Sequence, residues 1–189
     1  YQSSHFLKAL RDHADIYLPD FKYADPRLAA ALSACPDYPQ VALDAIAAMV
    51  EQKGFLDSFE KGSQTARRGV LVRHLLLPGK VENSLNALTA LFVEFGAGLP
   101  LSLMSQYHPV VRHADQDLNR FLSAEEFDRA YSHALSLGFE NLFVQFPEKN
   151  QGSGRSASPL LPDFRRTRPF GQGVPIQSLL RRPEDHTWK

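Results

Sequence analysis

Four short apolar runs alternate with longer stretches of helical periodicity, and no other feature of this sequence narrows its fold so far. The runs are "ADIYLPD" (14–20), "GVLVRHLLL" (69–77), "PLSLMSQYHP" (100–109) and "NLFVQF" (141–146). Between them, "QVALDAIAAMVEQKG" repeats apolar residues at 42, 45, 46, 49 and 50, and "ENSLNALTALFVEFG" carries Leu85, Leu88, Phe92 and Phe95 on one stripe. Both spacings are those of an amphipathic helix. "SAEEFDRAYSHALSLG" opens on a capping box, Ser123 with Glu126, and closes on Gly138. Asp25-Pro26 is a further helix start, an N-cap acid before a proline in the first turn. "SSHFLKALRDH" precedes the first run and reads as a helix. Strands that look apolar on both faces, alternating with helices, predict α/β architecture made of parallel βα units.

The length suits one domain with a core, and four strands suit an open sheet or part of a larger barrel better than a closed one. Either way ligands collect at the C-terminal ends of the strands. The first strand delivers Asp20 and Lys22, two apart and therefore on one face of an extended chain. The second carries Arg73 on the face opposite His74, which makes His74 a core or helix-facing residue. Along the third, Ser102, Met104, Gln106 and His108 share a face; the fourth ends at Gln145. Converging at one mouth, an acid, two cations and an imidazole would suit a zwitterion: Lys22, Arg73 and His108 for its carboxylate, Asp20 for its ammonium. The alternative is structural, with Asp20 paired to Lys22 or Arg73 for stability alone.

Other chemistries lack their motifs. The sequence holds no Gly-x-Ser-x-Gly elbow, phosphate loop, Gly-x-Gly-x-x-Gly or His-Glu-x-x-His. His108 and His113 stand five apart with a proline between, a poor metal spacing. One cysteine, Cys35, excludes an internal disulfide framework and a multi-thiolate zinc site. The 21 basic and 21 acidic residues cancel, so no global field points to nucleic acid or an anionic membrane, and no apolar run nears the length of a membrane span. The start shows no basic region followed by an apolar one, as a signal peptide would, and a cytoplasmic setting is expected. Residues 1–147 form the folded unit; 148–189, rich in Pro, Gly and Arg, is predicted to be a largely irregular, solvated extension, with RNA or an acidic partner as the alternative reading of its positive charge.

Taken together, "DIYLPDFKYADPRLA", "GVLVRHLLLPG", "LSLMSQYHPV" and "LSAEEFDRAYSHALSLGFENLFVQ" resemble the radical SAM proteins of the pyruvate formate-lyase activating enzyme-like group, in order, over roughly residues 1–146. "YQSSHF" is similar to the polar turn after an earlier barrel strand of that group. The resemblance implies the C-terminal half of a partial (βα)6 TIM-like barrel that binds a [4Fe-4S] cluster and S-adenosylmethionine. Reductive cleavage of the sulfonium would yield a 5′-deoxyadenosyl radical for hydrogen abstraction, in activating enzymes from a glycine of a partner, the glycyl-radical protein. By the same resemblance Asp20 and Lys22 match a strand-end Asp-x-Lys, and Arg73 and His108 match the group's strand arginine and following histidine; all four would hold the methionine part of the cofactor. The group's Cys-x3-Cys-x2-Cys motif and glycine-rich strand end are not in these residues, so the cluster ligands and an N-terminal half-barrel would come from elsewhere and the chain alone would be inactive. A non-catalytic half-barrel subunit or relic is the competing expectation.

Overall fold

The computed structural model describes residues 4–57 and 65–147; the predicted extension 148–189 lies outside the described residues. In chain order the elements are α1 (Ser4–Leu10), β1 (Ile16–Tyr17), α2 (Pro26–Ser33), α3 (Tyr38–Lys53), β2 (Gly69–Val70), β3 (Val72–Leu75), α4 (Val81–Phe95), β4 (Leu101–Met104), a 3-10 turn (Gln116–Asn119), α5 (Ala124–Leu137) and β5 (Leu142–Gln145). The protein is mixed α/β, and every strand pairing is parallel.

The strands form a two-stranded sheet, β1-β2, and a three-stranded sheet, β3-β4-β5. The two are joined through Leu71. Its N–H donates to Tyr17 O at 3.0 Å, Arg73 N–H donates to Pro19 O at 2.8 Å, and Phe21 N–H donates to Arg73 O at 2.9 Å. Spatial order therefore follows chain order. Crossovers of one hand then place α3, α4 and α5 on one face. The burial pattern agrees: Val72, His74, Leu101, Leu103, Leu142 and Val144 are buried, while their alternates are only half-buried. Strands buried on both faces were predicted; the open face, bearing Arg73, Leu75, Ser102, Met104, Phe143 and Gln145, corrects that.

The covered face holds the core. Leu88 and Leu91 of α4, Phe127 and Ala130 of α5 and Ile46 of α3 meet Val70, Val72, Leu101 and Val144 there. Burying each large side chain contributes about 1.5–3 kcal/mol. Helix ends fall where the cap chemistry predicts. Asp25 accepts from Arg27 N–H, Ser123 and Glu126 form the capping box, and Gly54 and Gly138 close α3 and α5. Gly69 has a local reason of its own. Its φ of +119° favours glycine, and a Cβ there would strike the Phe55 carbonyl, which runs alongside Val70.

Candidate functional site

The site is assembled where β1 gives way to α2. Pro19 has no N–H for the ladder, so β1 is only Ile16–Tyr17 and pairing resumes as a single bridge, Asp20 to Arg73. That bridge puts Asp20 beside Arg73 on the open face. Arg73 Nε lies 2.8 Å from Asp20 Oδ1, and Lys22 Nζ lies 3.6 Å from Asp20 Oδ2. The three side chains are 31% (Asp20), 40% (Arg73) and 45% (Lys22) exposed. Despite their approach, Arg73 Nε and Asp20 Oδ1 are not aligned as donor and acceptor. Both atoms are buried without a hydrogen-bond partner among the described residues. One carboxylate faces two cations, so the trio keeps a positive charge and directional bonding capacity to spare.

The backbone that carries this trio is held at almost every polar group. The Tyr38 hydroxyl, at the start of α3, donates to Asp20 O at 2.7 Å and accepts from Lys22 N–H at 3.0 Å. His74 Nδ1 lies 2.6 Å from Phe21 O. Asn83, buried in the first turn of α4, donates through Nδ2 to Lys22 O at 2.9 Å and accepts at Oδ1 from Ala24 N–H (2.9 Å) and Asp25 N–H (3.1 Å). His74 is fully buried, and burial pushes its pKa down. A neutral ring with its proton on Nδ1 fits the Phe21 contact. Burial, chiefly, pushes the Tyr38 phenol up to about 12, so it keeps its donor proton at neutral pH.

Of the four residues singled out from sequence, the structure brings together Asp20, Lys22 and Arg73. His108 lies four residues beyond the end of β4. Ser105 is still buried and Gln106 Nε2 reaches Met104 Sδ at 3.6 Å, so the alternation runs past the end of β4 at Met104; Tyr107 and His108 beyond it are both half-buried. The ring packs edge-on against Phe121 at 5.1 Å, its Nδ1 buried without a hydrogen-bond partner among the described residues. His113 is occupied through its backbone, which bonds to Asn119 on both sides. Arg73 also sits deeper than a strand end, because the row Leu75, Met104, Gln145 lies beyond it in register. Tyr38 and Asn83 went unnoticed in the sequence: they stand 16 and 61 residues from Lys22, and no local pattern marks them.

A groove of about 580 Å³ adjoins the trio along the outer edge of β1. Asp20, Lys22 and Tyr38 are among its polar lining, and Ala42, Ala45 and Met49 of α3 are among its apolar lining. Cys35, half-buried between α2 and α3, is also on its wall. Among the described residues, no group of three or more His, Cys, Asp or Glu side chains is placed to hold a metal ion. No helix among them is long and apolar enough to cross a membrane.

A second charged cluster fastens the loops that follow β3 and β4. The Glu126 carboxylate accepts from Arg120 at 2.7 and 2.8 Å, from Gly79 N–H at 2.7 Å and from Ser123 N–H at 2.9 Å. Lys80 Nζ meets Asp115 Oδ2 at 2.6 Å. All of these groups are engaged with one another. The cluster fixes the loop frame at the C-terminal side of the sheet.

Comparisons with protein-family models, with curated proteins and with solved structures return no match. The likeness to the radical SAM group therefore rests on the sequence motifs alone.

Proposed function

We propose that this chain is a half-barrel that holds the zwitterionic amino-acid end of S-adenosylmethionine, as the C-terminal part of a radical SAM enzyme of the activating type. The observation that carries this is the trio: Lys22 and Arg73 flank Asp20 on the open sheet face, with two buried polar atoms left unbonded. Lys22 and Arg73 would take the ligand carboxylate in charge-assisted bonds, and Asp20 would take its ammonium. The cofactor, once bound, supplies an adenosyl group able to start hydrogen abstraction. The chain's residues orient it and keep its charged end fixed.

The [4Fe-4S] cluster of that chemistry does not fit this chain, whose single thiol is Cys35; a cluster needs several thiolates. We therefore assign the electron source to an N-terminal half-barrel supplied from elsewhere, and catalysis to the joined halves. The edge of β1 supports such a partner. Asp15, Tyr17 and Pro19 accept from β2 and β3, so Ile16 and Leu18 turn their backbone groups outward. Their side chains are 37% and 50% exposed beside the groove.

Calorimetric titration of the chain with S-adenosylmethionine, and with its carboxylate methyl ester, tests the binding role. Saturable binding that is lost on esterification, and weakened about ten- to a hundredfold by Lys22→Ala, is expected. Equal affinity for acid and ester, or for wild type and Lys22→Ala, refutes it.

A further inference from the structure

We propose that Tyr38 and Asn83 are positioning residues for Lys22, setting where its ammonium stands over Asp20 and so how it meets a ligand carboxylate. The proposal rests on the site being one for a zwitterionic amino-acid group. Between them the two side chains take both backbone polar groups of Lys22: Tyr38 Oη accepts its N–H at 3.0 Å, and Asn83 Nδ2 donates to its carbonyl at 2.9 Å. The Tyr38 contacts copy a parallel ladder, in which one residue of a neighbouring strand bonds the C=O of residue i and the N–H of residue i+2. Here those groups belong to Asp20 and Lys22, and a phenol from α3 stands in for the strand. Asn83 repeats the device from the other side, tying Lys22 O to the N–H groups of Ala24 and Asp25. A lysine on a loop loses conformational freedom when it binds a ligand, and a backbone already fixed lowers that cost. The position of the Lys22 Cα is therefore set by the packing of α3 and α4, which a ligand does not have to arrange.

Two substitutions separate this role from general support. Tyr38→Phe removes only the hydroxyl and keeps the ring against Phe21 and Tyr23, whose centroids lie 6.4 and 5.2 Å away. Asn83→Asp keeps the acceptor for Ala24 and Asp25 and removes the donor to Lys22 O. Affinity for S-adenosylmethionine is measured by calorimetry in wild type and in each variant, alone and combined with Lys22→Ala. Each single variant is expected to weaken binding about three- to tenfold, and to change nothing further once Lys22 is alanine. Equal losses in both backgrounds, or no loss with Lys22 present, overturn the positioning role while the site itself stands. If Lys22→Ala leaves affinity unchanged, the site assignment falls and the positioning role with it. Tyr38→Phe, which adds no charge, decides the matter if Asn83→Asp does not fold.

Discussion

Replacing Arg73 by methionine separates a ligand cradle from a structural ion pair, because the two roles predict opposite balances of stability and binding. Methionine keeps an apolar stem of similar reach and removes the guanidinium. Asp20 is then left with Lys22 at 3.6 Å. The lost partner sits at 2.8 Å, but the side chains of Arg73 and Asp20 are 40% and 31% exposed. Solvent screens such a pair to about 0.2–1 kcal/mol. For a folded unit of this size that is a melting shift of about 4 °C or less. A charge-assisted bond to a bound carboxylate contributes about 1.5–3 kcal/mol, or about ten- to a hundredfold in affinity. Urea denaturation followed by circular dichroism and calorimetric titration of S-adenosylmethionine, on the same preparations, give both numbers. Arg73→Met should unfold almost like wild type and bind far more weakly. A stability loss above about 3 kcal/mol with affinity unchanged would mean a buried structural pair, and would refute the cradle.

Glu126→Gln should cost about 1–2 kcal/mol at pH 7, after discounting for solvent, since its carboxylate accepts charge-assisted bonds from Arg120. The Arg120 bonds, foremost, and the N–H groups of Ser123 and Gly79 hold the Glu126 pKa at about 2, against an ordinary 4.5. A depressed carboxylate stabilises above its unfolded value and loses that contribution as pH falls, so the two proteins should converge between about pH 4.5 and 2 in urea titrations. A gap that stays constant over that window would contradict this. Gly69→Ala should destabilise by about 1–3 kcal/mol or more, through its φ of +119° and the collision with Phe55; an unchanged melting temperature would show that the β2 turn relaxes freely.

Much of the fold was legible because its signals are local. Periodicity placed α4 and α5 almost to the residue, and α3 began only two residues early, at Tyr38. The caps at Asp25, Ser123, Gly54 and Gly138 depend on neighbours within one turn, and they were read correctly. Strand lengths were overestimated, since pairing depends on a partner that sequence does not show. Pro19 breaks β1, and β4 stops at Met104, before the polar pair Ser105 and Gln106. An apolar run likewise does not say how many of its faces are covered. Leu75, Met104 and Phe143 are half-buried because α3, α4 and α5 lie on one side only. The site divides in the same way. Asp20 and Lys22 share a face by spacing, and Arg73 joins them by register. His108 lies past the end of β4, packed against Phe121, where strand spacing no longer says which way a side chain faces.

If the trio holds a zwitterion, as proposed, its balance of charge bears on which end is met first. Asp20 is already shared: its Oδ1 faces Arg73 and its Oδ2 faces Lys22. An incoming ammonium would have to compete with both cations for one carboxylate, whereas an incoming carboxylate meets two cations and a single opposing charge. The Coulomb term at these separations is several kcal/mol before screening, so its sign favours the anion. Burial of the unaligned Nε and Oδ1 adds to this, because a ligand oxygen that lets Arg73 swing toward it would relieve an unmade bond at the same time. On the proposed reading, carboxylate recognition by Lys22 and Arg73 would therefore be the dominant contact, and Asp20 would act first to hold the two cations together and only then to meet the ammonium. An amino-acid amide should bind much more weakly than the acid, and a carboxylic acid without the amino group should keep most of the affinity. The reverse order would mean that Asp20, and not the cations, leads recognition.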